Sequence, residues 1–378
     1  MKFSECVEIV GSKPSRYQGI KQYVSTGALD SDHIDENSIE EYAYDDRPSR
    51  ADLVAEAGNV LFAKMAETKK TLVINNQNEK YLFSTGFFAV KPKKNVLTTE
   101  CLYYLLNSNT FLSQKDKYSS GATQKAISNA SLEKIIVNIP CFSKQEDIVK
   151  QLDKLSNIIK KTRKQLLNFD LLIKSRFIEM FGTENDFSKW NCCFVEDVAD
   201  VTVGVVIKPT QYYCEKGIPA FRSLNIGEMK VNDSDWVYFT EEGNEKNRKS
   251  ILKENDVLVV RSGAPGKSCV ITKKYEGYNV VDAIIAHPNL EKVNPVFLCM
   301  FTNMPHGMNQ IKAKTGGAAQ QHFNVGGYNS LKIILPPLSL QNDFAAFVQQ
   351  IDKSKFVVQK SLEKAETLYK SLMQEYFG

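Results

Sequence analysis

After Pro140 the apolar positions settle into an alternating spacing of four and three. Ile148, Leu152, Leu155, Ile159, Thr162, Leu166, Phe169, Ile173, Arg176 and Met180 follow it, and eight of the ten are apolar. Moving the frame on by 196 gives Phe344, Val348, Ile351, Lys355, Val358, Leu362, Ala365, Tyr369, Leu372 and Tyr376, nine of them apolar or aromatic. Neither stretch holds Pro or Gly before Gly182 or Gly378. This is a heptad seam, which predicts helices that pack along their whole length. The seam is carried by Ile148, Leu152, Leu155, Ile159, Leu166, Phe169 and Ile173 on one helix. On the other it is carried by Phe344, Val348, Ile351, Val358, Leu362, Tyr369 and Leu372. A helix over 145–180 spans about 50 Å at 1.5 Å per residue. An antiparallel pair would cover both stripes; the alternative is that each helix packs on its own neighbouring block.

The offset of 196 recurs elsewhere. Gly121-Ala122-Thr123-Gln124 aligns with Gly317-Ala318-Ala319-Gln320, Ile139-Pro140 with Leu335-Pro336, and Gln145 with Gln341. Upstream the frame drifts slightly, and Gly58 to Lys64 meets Asn255 to Arg261. A period this long means two copies of one unit, a globular block followed by a helix. The expected organisation is a first block 1–140, a helix 141–182, a second block 183–336 and a helix 337–378. The blocks read as mixed α+β. Strand-like runs are Val60-Leu61-Phe62, Thr71 to Ile74, Lys134 to Val137, Val257 to Val260, Val270-Ile271-Thr272 and Leu331 to Leu335. Glu100 to Leu106 and Val296 to Met300 read as helical. The predicted fold is α+β: two globular blocks separated by two long antiparallel coiled-coil helices, with a pseudo-two-fold internal repeat.

The net charge of +4 says little, but its distribution says more. Residues 60–140 hold 11 basic against 5 acidic side chains, and residues 246–340 hold 12 against 5. Such surfaces suit a polyanion or are simply solvated. No long apolar run suggests a membrane span, and the start Met1 to Cys6 lacks a signal-peptide core, so the expected compartment is the cytoplasm. The eight cysteines form no CxxC pair and the four histidines are scattered, giving no metal pattern. No catalytic constellation and no glycine-rich cofactor loop is visible.

Candidate contacts to a nucleic acid follow from chemistry. The Gly-Ala-Thr-Gln and Gly-Gly-Ala-Ala-Gln loops allow close backbone approach, or form β-turns. Glutamine pairs with adenine and arginine or lysine with guanine or phosphate. The candidates in the first block are Lys64, Lys69, Lys70, Thr123, Gln124 and Lys125. In the second they are Arg222, Ser223, Asn225, Arg261, Lys267, Lys314, Gln320, Gln321 and His322. Gly263-Ala264-Pro265-Gly266-Lys267-Ser268 has part of a phosphate-loop pattern, but Arg261 stands where that pattern needs glycine; a turn after a strand fits better.

The order of variable block, Gly-x-x-Gln loop, Ile-Pro or Leu-Pro-Pro-Leu, Gln and long helix, twice over, resembles the specificity subunits of Type I restriction–modification enzymes. Leu335 to Gln341, Gly316 to Gln321 and Asn255-Asp256-Val257-Leu258 with Arg261-Ser262-Gly263 carry the likeness. The resemblance implies a non-catalytic protein whose blocks are target recognition domains. Each would read one half of a bipartite, asymmetric site on double-stranded DNA, with the gap set by the helices. It implies two methyltransferase subunits carrying S-adenosylmethionine, and restriction (motor–nuclease) subunits using ATP and Mg. No cofactor is expected in this chain. A coiled-coil scaffold joining proteins without DNA, and a nucleotide-dependent enzyme built on residues 263–268, are the competing readings.

Overall fold

A computed structural model describes residues 1–315 and 322–378. The chain divides into two compact units, Met1–Arg163 with Gln359–Gly378, and Lys164–Val358. Both divisions fall inside long helices, Phe142–Phe181 and Leu338–Phe377, each of 40 residues. Phe142 to Leu338 and Phe181 to Phe377 are both steps of 196.

In the first unit the principal strands are β1 (Val7–Val10), β2 (Ile20–Val24), β3 (Glu40–Ala43), β4 (Val60–Ala63), β5 (Thr71–Val73), β6 (Leu82–Phe83) and β7 (Phe87–Pro92), and Leu29–Asp30 pairs with His33–Ile34 as a separate small ladder. An antiparallel sheet runs β1-β7-β4-β5. A smaller sheet runs β3-β2-β6, with β2 and β6 parallel. Strand β4 is apolar at every position because both its faces are covered. Val60 and Phe62 join the core containing Cys101, Leu102 and Leu105 of helix α1 (Thr99–Leu106). Leu61 and Ala63 join the other core, with Val24, Leu29 and Phe83. Thr98 caps α1 and Ser108 caps α2 (Asn109–Lys117), each accepting from a backbone N–H.

The second unit repeats this plan. Its corresponding strands are β8 (Ala199–Val203), β9 (Ile218–Phe221), β10 (Val237–Phe239), β11 (Val257–Val260), β12 (Ser268–Val270), β13 (Asn279–Val280) and β14 (Ala283–Pro288), with further short strands at Cys192–Phe194, Tyr213–Cys214, Ile226–Gly227, Lys230–Val231 and Lys332–Ile334. The main sheet runs β8-β14-β11-β12; in the second sheet the short strand Tyr213–Cys214 adds an edge beside β10-β9-β13, in which β9 and β13 are again parallel. Leu258 lies opposite Cys269 and Ile285, as Leu61 lies opposite Leu72 and Ala89. Helices α3 (Pro295–Asn303) and α4 (Pro305–Thr315) follow. Asn294 caps α3 and Pro295 opens it, so this helix runs beyond the expected Val296–Met300 at both ends.

The long-helix segments complete each core. In the first unit Ile148, Val149 and Leu152 share one cluster with Met373 and Phe377. Tyr376 reaches Gln151 and Arg163 pairs with Glu366, so the two segments run antiparallel there. In the second unit Ile173, Phe177 and Phe181 cluster with Phe344 and Val348, and Lys355 pairs with Asp170 at 2.7 Å. Of the expected seam, Ile148, Leu152, Ile159, Ile173, Phe344, Val348 and Leu362 are buried. Leu155, Leu166, Phe169, Ile351, Val358, Tyr369 and Leu372 are half-buried. Near the C-terminal ends the stripe slips from a seven-residue repeat to steps of four: Ile173, Phe177, Phe181 and Tyr369, Met373, Phe377. A straight α-helix drifts about 20° per heptad against a seven-residue repeat, and there the helix face must meet a block core as well as a helix.

Cys6, Cys101, Cys269 and Cys299 are buried, Cys193 and Cys214 half-buried, Cys141 and Cys192 exposed, and none is in a disulfide. Burial pushes the Cys101 and Cys299 thiols up to about 12. Among the described residues no helix is long and apolar enough to cross a membrane, and no group of His, Cys, Asp and Glu could hold a metal ion.

Candidate nucleic-acid interface

The antiparallel registers bring the loops after β1 and β4 and before β7 to one end of the first main sheet, and those after β8 and β11 and before β14 to the same end of the second. In the first unit the β4–β5 hairpin loop, residues 64–70, is tied to the loop 120–127. Ile127 N donates to Lys64 O and Ala66 N to Lys125 O, both at 2.9 Å. Loop 120–127 closes on itself through paired backbone bonds between Ser120 and Ala126. Gly121 sits at φ +145°, where an added Cβ would lie 2.4 Å from the Gln124 carbonyl oxygen, so the turn requires glycine. Thr123, Gln124 and Lys125 are exposed on it, and Gln124 Nε2 lies 2.9 Å from Met65 Sδ. Lys64 is half-buried with its ammonium 4.4 Å from the centre of the Phe88 ring, and burial depresses its pKa. Lys69 is exposed. The Lys70 ammonium instead turns into the fold, donating to Thr26 O at 2.7 Å.

Beneath the hairpin lies a group that periodicity does not flag. Lys115 of α2 is 1% exposed, and its ammonium donates to Met65 O and Thr68 O, both at 2.7 Å. Desolvation lowers its pKa, against a smaller opposing effect of Asp116. The position 196 further on is Ile311, buried in the core of the second unit. A sequence reader could have noticed only that a lysine occupies an apolar slot of the repeat. Lys115→Met should lower stability by about 1–3 kcal/mol, because two charge-assisted bonds are lost while the cost of burying an ammonium is relieved. Amide exchange should quicken across 64–70 and leave Val60–Ala63 protected; unchanged exchange in the loop would contradict the brace.

In the second unit the β11–β12 hairpin loop, residues 261–267, is closed by Val260 N to Lys267 O and Gly266 N to Val260 O. Its exit is strand β12, not a helix, so the 263–268 run lacks the helix N-terminus that a phosphate loop uses. Phe323 N donates to Arg261 O, matching Ile127 to Lys64 in the first unit. Ser262 pairs with His322 as an isolated bridge. His322 and Lys267 are exposed. Gln320 and Gln321 lie outside the described residues.

The remaining candidates separate. Arg222 follows β9 and pairs with Asp235 at 3.0 Å; Ser223 beside it is half-buried. Asn225 is fully buried, accepting from Arg222 N and donating to Asn232 O and Ser234 O. It braces that turn and is not placed to meet a ligand. Lys314, at the end of α4, donates to Ser330 Oγ at 2.8 Å.

The two units share further internal braces. Gln114 bonds both N–H and C=O of Ile136, and Gln310 does the same for Lys332. Gln145 and Gln341 are fully buried at the starts of the two long helices and make equivalent sets of three bonds.

The two units thus share one frame whose sheet ends carry different polar side chains. Comparison with known proteins gives the class. The profile of the Type I restriction modification DNA specificity domain matches residues 15–168 and 188–366, one copy after the other. The chain belongs to this family and carries two of its domains.

It is similar to the Type I restriction enzyme EcoBI specificity subunit of Escherichia coli, 19% identical over 71% of this chain and 63% of that one. It is also similar to the Type I restriction enzyme MjaIX specificity subunit of Methanocaldococcus jannaschii, 20% identical over 70% and 65%. The chain thus spans slightly under two thirds of the length of these relatives. Among solved structures it resembles a chain of a type I R-M system (TM-score 0.61, 18% identity, covering 100% of this chain and 96% of that one). It also resembles a Type-I restriction-modification S subunit from M. genitalium (TM-score 0.58, 11% identity, 100% and 95%). At these identities the likeness concerns the fold.

Proposed function

We propose that the protein is the specificity subunit of a Type I restriction–modification complex, and that each unit reads one half of a bipartite, asymmetric site on double-stranded DNA. The observation that carries this reading is the recurrence of one frame with unlike tips. The seven strands common to both units lead to Lys64, Gln124 and Lys125 in one unit, and to Arg261, Lys267 and His322 in the other. Sequence is read by a few side chains in the grooves, and positioning comes from phosphate contacts. One scaffold bearing two tip sets therefore suits two unlike half-sites.

The two long helices, equal in length and offset by 196 at both ends, serve in this reading as the coiled-coil spacer of a pseudo-two-fold repeat and set the gap between half-sites. The chain itself is non-catalytic. Chemistry belongs to two methyltransferase subunits, which bring S-adenosylmethionine, and to restriction subunits, which use ATP and Mg. The complex works in the cytoplasm.

Exchanging residues 1–140 for the corresponding block of another specificity subunit tests the modular claim. With methyltransferase subunits present, sequencing of genomic methylation should show one half-site changed and the other kept. A folded, active hybrid that alters both half-sites, or neither, would rule the proposal out.

A further inference from the structure

At the sheet end of the second unit, Arg261 and Asp282 face each other across strand ends. Asp282 lies between β13 and β14, immediately before Ala283, and Arg261 immediately follows β11, whose Val260 pairs with Ala283. Arg261 Nη1 donates to Asp282 Oδ1 at 3.1 Å. Ser262 Oγ lies 3.1 Å from Asp282 Oδ2 and 2.9 Å from His322 Nδ1. A hydroxyl has one hydrogen and a carboxylate only accepts. Ser262 therefore donates to Asp282 and accepts from the Nδ1–H of His322, and both carboxylate oxygens are engaged. Asp282 adopts φ +46°, a left-handed conformation that few residues other than glycine enter and that aspartate tolerates better than most. The carboxylate is thus fixed from several sides.

We propose that Arg261 reads a guanine in the half-site of the second unit, and that Asp282 is the positioning residue that holds it for this task. The inference rests on the reading that this unit recognises DNA. Arg261 is 21% exposed, and its Nε is buried without a partner. Whatever the guanidinium presents to solvent, it presents through its two terminal nitrogens, the fork that matches O6 and N7 of guanine. The carboxylate 3.1 Å away decides between base and phosphate. It offsets much of the charge a phosphate would seek and takes one N–H of Nη1, leaving a second on Nη1 and two on Nη2 for the two acceptors of a guanine. Holding the long side chain in place beforehand also reduces the rotamer entropy lost on binding. The first unit has no such device. Lys64 stands at the repeat position of Arg261 and Gly86 at that of Asp282, and the Lys64 N–H donates to Gly86 O. Guanine reading through this device is therefore confined to one half-site.

The test uses the full chain assembled with its methyltransferase subunits. Genomic methylation and duplex binding are read for Arg261→Lys, Arg261→Ala, Asp282→Asn and Ser262→Ala. Arg261→Lys keeps the charge and loses the fork. It should relax discrimination at a single guanine of the second half-site by about ten- to a hundredfold, with the first half-site unchanged. Asp282→Asn should relax the same position by a smaller factor, and the slope of affinity against salt should stay as it was. Uniform weakening over all sequences with a shallower salt slope would identify a phosphate contact and overturn the inference. So would an unchanged motif in Arg261→Lys, which decides the matter even if Asp282→Asn fails to fold. Exchange of the second block separates the two levels. If it changes the second half-site while Arg261→Lys does not, only this inference falls. If it changes nothing, the DNA-reading proposal falls with it.

Discussion

Phe177→Ala should remove about 3–5 kcal/mol of stability from the second unit, the range expected for a buried aromatic truncated in a packed core. Phe177 is fully buried, with ring centroids 5.0 Å from Phe181, 5.6 Å from Phe297, 5.5 Å from His306 and 5.4 Å from Phe344. These neighbours come from the first long helix, from α3, from the start of α4 and from the second long helix. One ring thus joins both helix segments to the block, and no single neighbour can move in to fill the void. For a unit of this size the loss corresponds to a fall of roughly 6–20 °C in melting temperature. Thermal unfolding followed by amide exchange should show the second unit opening early while Val60–Ala63 stay protected. Phe169→Ala is the comparison, since its side chain is half-buried in the same helix. An equal loss at both positions would show that the cluster around Phe177 is not the anchor.

Gln341→Leu and Gln145→Leu should each cost about 3–5 kcal/mol, although leucine is of similar size and less polar. Gln341 Oε1 accepts from Asn294 N at 2.8 Å, and its amide donates to Pro336 O at 2.8 Å and Lys292 O at 3.4 Å. Gln145 does the same for Thr98 N at 2.9 Å, Val96 O at 2.8 Å and Pro140 O at 3.1 Å. Leucine leaves these buried and part-buried backbone groups without their side-chain partner, at about 1–3 kcal/mol each. The side chain fastens the start of a long helix to the segment preceding α1 or α3, so the loss should be local at first. Urea unfolding of the two variants should give similar shifts, because the bonds are equivalent. A shift under about 1 kcal/mol would mean that water reaches the orphaned groups.

The long helices were legible because a sustained apolar spacing over 40 residues admits few other structures, and the offset of 196 tied them together. Sheet pairing was not legible. Val60 to Ala63 and Val257 to Val260 are apolar on both faces, so alternation could not assign a face or a neighbour. The parallel pairs β2–β6 and β9–β13 join strands about 60 residues apart, beyond the reach of local patterns. Among the proposed contacts, composition drew attention to lysines and arginines without distinguishing their tasks. Lys70 holds a backbone carbonyl, Asn225 closes a turn, and only the fold separates them from exposed Lys125 and Lys267. Asp282 escaped attention because an aspartate at a strand start has no signature until its neighbours are known.

The uneven distribution of the thiols has a practical consequence for physical measurement. Cys141 immediately precedes the first long helix and Cys192 follows it by eleven residues, and both are accessible. Hydrogen bonding with Ser143 holds the Cys141 thiol below its ordinary value, whereas burial pushes neighbouring Cys193 up to about 11. Maleimide applied near neutral pH should therefore react first at Cys141 and Cys192, which flank the helix Phe142–Phe181 in sequence. Peptide mapping after brief labelling would show whether engaging a duplex changes access to either thiol, with the natural sequence left untouched.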